Sequence, residues 1–227
     1  MNKKFFSMLA ALSLLAVSGL ANATAYGVSV GWNTQEPQPI MDMMKTQKAE
    51  FAEYVREGFI RDMYIENSTV GGVELPIIKF VMDGNSEQDV RDKLGALPFQ
   101  KRGLVVITDI RPLGEKWLNT EQTQRNFSLE LTWKGGFDPL EMDMILSKDL
   151  QKVIELNNKG EVTSAYLDVQ EFDNGLKKPI YHIALRAPNA ESAREMAKQF
   201  EAVSKGYADV NLMYLGNQVS LSDIAAG

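Results

Sequence analysis

The chain carries a single histidine, His182, inside the strand-like run from Ile180 to Leu185. An imidazole titrates close to neutrality, which makes it the natural candidate for moving protons. Lys79 holds the matching place in an earlier run, Leu75 to Met82. Either group, set beside a carboxylate in a partly dry space, would form an acid/base pair with shifted pKa values. Strand alternation puts further polar side chains on the same faces: Asp62 and Tyr64, Asp109 and Arg111, Glu130, Tyr166 and Asp209. The pattern predicts Lys79 and His182 as an acid/base pair and the other seven as substrate-binding groups. A plainer reading stands beside it, because half-exposed strands carry solvated or salt-bridged polar residues anyway.

Other chemistries are poorly served. One histidine excludes H-E-x-x-H and any two-histidine metal site, and there is no Gly-rich phosphate loop or G-x-S-x-G elbow. Thioethers bind Cu(I), so Met41, Met43 and Met44 with Met142 and Met144 could be read as copper ligands. Helical geometry favours core filling instead, since residues i and i+2 diverge. The reading calls for no metal and no cofactor; a haem ligated by His182 is a lesser alternative.

These residues need elements to hold them, and the order of those elements recurs. Trp32 answers Trp133, Gly58 answers Gly160, Tyr64 answers Tyr166, and Leu113-Gly114 answers Leu215-Gly216. Pro39-Ile40-Met41-Asp42-Met43 also resembles Pro139-Leu140-Glu141-Met142-Asp143-Met144. Matches in one order indicate two copies of one folding unit. Each copy reads strand, helix, strand, strand, helix, strand. Ile40, Met43, Met44, Gln47, Phe51 and Val55 recur at helical spacing, Ser86 suits an N-cap, and Leu104 to Ile110 is rich in β-branched residues. The fold class is therefore α+β, with two tandem ferredoxin-like (βαββαβ) repeats. Two such sheets can close an α+β barrel, within one chain or by dimerisation. The predicted division is a leader at residues 1–23, a first repeat at 24–118, a linker at 119–126 and a second repeat at 127–227.

Arg56-Glu57-Gly58 before the second strand, Leu97-Pro98-Phe99 after the second helix, and the closing Ile110-Arg111-Pro112-Leu113 resemble muconolactone isomerase and its relatives in the dimeric α+β barrel superfamily. The likeness covers roughly Val28 to Leu113. The second copy has Phe200-Glu201-Ala202 where the first has Leu-Pro-Phe. The resemblance implies an α+β barrel and a small organic ligand, with isomerase-like or small monooxygenase-like chemistry as its enzymatic form. YCII-related members use a histidine in their first helix, which neither copy has, and tandem haem-binding members need an axial ligand. Fold alone does not choose among these.

The ends and the composition bound the setting. Lys3 and Lys4, the apolar run Phe5 to Val17 and Ala21-Asn22-Ala23 read as a cleavable signal peptide, so the mature chain is expected in the periplasm or outside the cell. There is no cysteine, and the formal charge is −6 with no basic cluster, which argues against nucleic acid as a partner. No mature segment is long enough to span a membrane. The predicted partner is a small molecule lodged between the sheets, with a homodimer as the other way to close the barrel. A non-enzymatic periplasmic scaffold acting through protein contacts is the competing class.

Overall fold

The computed structural model describes residues 23–119 and 125–226. The expected leader, apart from Ala23, and most of the predicted linker lie outside the described residues. The first half comprises β1 (Thr24–Trp32), α1 (Pro37–Arg56), β2 (Ile60–Val70), β3 (Val73–Gly84), α2 (Glu87–Gly95), α3 (Pro98–Lys101) and β4 (Val105–Asn119). The second comprises β5 (Arg125–Trp133), α4 (Pro139–Asn158), β6 (Val162–Glu171), β7 (Lys177–Arg186), α5 (Ala190–Ala197), α6 (Glu201–Ser204) and β8 (Ala208–Gln218), followed by α7 (Leu221–Ala226).

Local chemistry sets these boundaries. Pro37 and Pro139 open the long helices, where a missing amide hydrogen costs nothing. Ser86 and Asn189 cap α2 and α5 by accepting from the amides of Asp89 and Ser192. Pro98 ends one helix, as expected, but also begins the short α3, as Glu201 begins α6.

Eight antiparallel strands form one closed barrel in the order β1-β3-β2-β8-β5-β7-β6-β4. A single chain therefore supplies both sheets, and closure needs no second copy. The helices lie outside. Alternation along each strand sends one row outward beneath them and the other into the lumen. Phe80 and Met82 of β3 enter the first helix–sheet core, and Tyr181, Ile183 and Leu185 of β7 enter the second.

The two Leu-Gly pairs make the closure. Each lies at a bulge, where β4 leaves β1 and where β8 leaves β5. Gly114 and Gly216 have φ of 82° and 96°, and an added Cβ would fall 2.2 Å from the carbonyl oxygens of Leu167 and Ile65. Only glycine allows both the backbone conformation and that approach. Beyond the bulges, β4 pairs with β6 and β8 pairs with β2.

The structure corrects one sequence match. Gln47 of α1 accepts from the amide of Phe99 at the start of α3, while Asp149 of α4 accepts from Glu201 and Ala202 at the start of α6. With helix starts at Pro37 and Pro139, Pro39 does not correspond to Pro139, and the two Met-Asp-Met stretches are out of register. Met142 is buried in the second core, whereas Met41 and Met144 are 50% and 62% exposed. These methionines do not converge, and the copper reading has no geometry behind it.

Candidate functional site

The lumen contains the residues that alternation placed there, with Asp209 as the exception. Lys79 and His182 line the same small space with Tyr64, Tyr166, Asp109 and Arg111. Most are engaged by neighbouring groups, whereas the buried Nδ1 of His182 neither accepts nor donates a hydrogen bond among the described residues. Lys79 pairs with Glu66 and donates to the Tyr214 carbonyl at 2.9 Å. Arg111 donates to Asp109 at 2.7 Å and to Glu130 at 2.8 Å. His182 is 5% exposed, and its Nδ1 lies 3.7 Å from Glu130 Oε2. Burial pushes the imidazole pKa down to about 4, opposed by Glu130 and assisted by the nearby Arg111 cation.

A second cluster ties the halves together. Asp62 accepts from Lys116 at 3.0 Å, from Gln218 at 3.2 Å and from the Tyr166 hydroxyl. Tyr64 faces Ser164 at 3.4 Å. Burial, with the Asp62 charge behind it, pushes both phenols well above their ordinary range. Asp209 stands apart: its side chain is 75% exposed and pairs with Lys134 at 3.3 Å, so it belongs to the surface and not to the lumen cluster.

The space left among these side chains is about 50 Å³. That is room for a few waters, at roughly 10 to 15 Å³ of such space each. Organic ligands occupy pockets of about 300 to 1,000 Å³. The expected ligand chamber between the sheets is therefore replaced by a plug of ion pairs and hydrogen bonds.

The larger cavity lies on the other side of the first sheet, between it and α1, with about 720 Å³. Its floor is the outward row of β1 to β4, including Val30, Met63, Ile65, Ile78, Phe80 and Ile107. Phe51 and Ala52 form part of the α1 wall, Leu97 and Phe99 close one end, and Asp223 and Ile224 of α7 close another side. Charged groups enter at Lys45, Lys48 and Arg56. In the second half the corresponding helix face is packed: Leu150, which matches Lys48 in the helix alignment, joins a core holding the fully buried Trp133, Leu156 and Phe200. Lys48 in the apolar stripe of α1 was the available sequence signal.

No protein-family profile matches the chain, and no curated protein matches it. Among solved structures, it is similar to a candidate chlorite dismutase at a TM-score of 0.54 and 11% identity, over 90% of this chain and 98% of the other. A haem-binding protein from Thermus thermophilus gives 0.51 and 9%, over 90% and 94%. A mutant chlorite dismutase from Candidatus Nitrospira defluvii gives 0.51 and 12%, also over 90% and 94%. At such identities the likeness is one of fold.

Proposed function

We propose that this protein is an exported binder of a small, largely apolar organic molecule, held between α1 and the sheet of the first half. The cavity of about 720 Å³ beneath α1 carries this reading. A solvent-open pocket of that size lined by aliphatic and aromatic side chains keeps apolar surface in water, and an apolar guest that displaces the water removes that cost. Export rests on the leader-like residues 1–23. The polar lumen, with its 50 Å³, serves as the cross-brace of the barrel and leaves an isomerase-like substrate no place beside Lys79 or His182.

A haem, such as the Thermus thermophilus neighbour binds, does not fit these residues. Haem iron is held by histidine, thiolate, tyrosinate, or methionine paired with histidine. The cavity wall contains Met44 and Met63 but no histidine, cysteine or tyrosine. His182 lies in the lumen, where a macrocycle has no room.

Native mass spectrometry of the mature protein tests the reading. A retained small molecule is expected, displaced in Ala52→Phe and in Ala49→Trp, both of which narrow the cavity. Retention unchanged in two folded variants would place the ligand elsewhere and reject this site.

A further inference from the structure

The charges at the cavity are lopsided. In a chain of formal charge −6, its wall carries three cations, Lys45, Lys48 and Arg56, against one carboxylate, Asp223. Arg56 is already engaged: its guanidinium binds Glu53 and donates to the Ala225 carbonyl at 3.0 Å, fastening α7 to the end of α1. Lys45 and Lys48 have no carboxylate or hydrogen-bond partner among the described residues. They lie one turn apart, so their ammonium groups can reach a common point. Lys48 also stands about 12 Å along the helix from Arg56, at 1.5 Å per residue, away from the α7 attachment. Such lysines lay their methylene stems on apolar wall while keeping their heads in water.

Resting on the assignment of this cavity as the binding site, we infer that its ligand is an amphipathic anion of the long-chain carboxylate class. The apolar body lies against Met63, Ile65, Ile78 and Phe80, and the carboxylate sits at the mouth between Lys45 and Lys48. A neutral apolar molecule would leave both ammonium groups unused, and a cationic one would be repelled by them. The second half offers no such place, because Leu150 fills the position of Lys48 and packs into the core. No bond is made or broken; the activity is binding.

Calorimetric titration of the mature protein with dodecanoate and with 1-dodecanol, equal in chain and different in head group, tests the inference. Dodecanoate is expected to bind roughly tenfold more tightly, the scale of one charge-assisted contact at a partly exposed site, and the advantage should shrink with salt. The double variant Lys45→Gln/Lys48→Gln should erase the advantage and leave the alcohol's affinity in place. Equal affinities in the wild type, or an advantage that survives the double variant, would overturn the anionic head group while leaving the apolar pocket standing. Failure of both compounds to bind would overturn the pocket as well. Both substitutions are at solvent-accessible helix positions, and an unchanged melting temperature confirms that the variant is folded.

Discussion

Tyr166 of the second half donates its hydroxyl hydrogen to Asp62 of the first, while its counterpart Tyr64 faces Ser164, the counterpart of Asp62, at 3.4 Å. The two contacts are reciprocal, like those across a two-fold interface, but one ends on a buried carboxylate and the other on a hydroxyl. Their energies should differ accordingly. Tyr166→Phe removes one of three donors to a carboxylate that is 3% exposed, and should cost about 1.5 to 3 kcal/mol. Tyr64→Phe loses a long neutral contact and should cost less than about 1 kcal/mol. Urea unfolding of the two variants decides it; equal losses would mean that Asp62 does not anchor the halves.

His182 and Asp149 should pull stability in opposite directions with pH. The folded His182 pKa of about 4 lies below the ordinary 6.5, so the unfolded chain takes up the proton first on acidification. Its contribution is complete above about pH 6.5 and is lost as pH falls toward 4. Burial raises Asp149 from 3.8 to about 6, even though two backbone amides donate to it. Its contribution is complete below 3.8 and is lost as pH rises through 6. Each swing amounts to about 3 kcal/mol, at 1.36 kcal/mol per pKa unit. Relative to wild type, His182→Asn should gain stability as pH falls from 6.5 to 4, and Asp149→Asn as pH rises from 4 to 6. Difference curves flat over those ranges would show that neither group is held as the structure indicates.

Gly114 and Gly216 should be far less replaceable than a left-handed glycine with open space around it. At Gly206, with φ of 75°, an added Cβ meets nothing within 4 Å, so alanine there bears only the conformational penalty of about 1 to 2 kcal/mol. Gly114→Ala and Gly216→Ala add a collision with the strand to which the barrel is sewn, and should lose clearly more than Gly206→Ala in thermal unfolding. Comparable melting temperatures for all three variants would remove these glycines from the closure.

The contrast shows which features the sequence could reveal. Alternation is a property of the backbone, so the rows containing Lys79 and His182 could be assigned to the non-helical face before any coordinate was known. The matched Leu-Gly pairs were visible for the same reason, since they answer a backbone need that arises twice. Whether the lumen is full or empty was not visible. That depends on how closely two twisted sheets approach and on whether Arg111 meets Glu130 and Tyr166 meets Asp62 across the gap, which no local pattern encodes. The cavity under α1 was hidden by a similar difficulty, because missing packing leaves no periodic trace. Lys48 opposite Leu150 was a usable clue, but the Met-Asp-Met likeness aligned the two helices out of register and concealed it. The tail was passed over because six residues of α7 are too few for periodicity to register.

That tail gives the last prediction. Alpha-helices this short have almost no stability of their own, because nucleation consumes what a single turn gains. The six residues of α7 include none that is buried, so docking must hold the helix in place. The docking contacts are few: Arg56 to the Ala225 carbonyl, the Val219 amide to the Met63 carbonyl at 2.9 Å, and Leu221 and Ile224 against the first core. Segments with so few contacts open at much lower free energy than the strands beneath them. Because Asp223 and Ile224 form part of the cavity wall, such opening would expose the cavity without unfolding the barrel. Hydrogen exchange should therefore find the α7 amides much less protected than those of β2. Ile224→Ala and Arg56→Gln should speed release of bound dodecanoate in stopped-flow displacement, with the barrel's melting temperature little changed. If α7 exchanges as slowly as β2, or if both variants release ligand at the wild-type rate, α7 is a fixed part of the wall and the ligand enters by the lysine side.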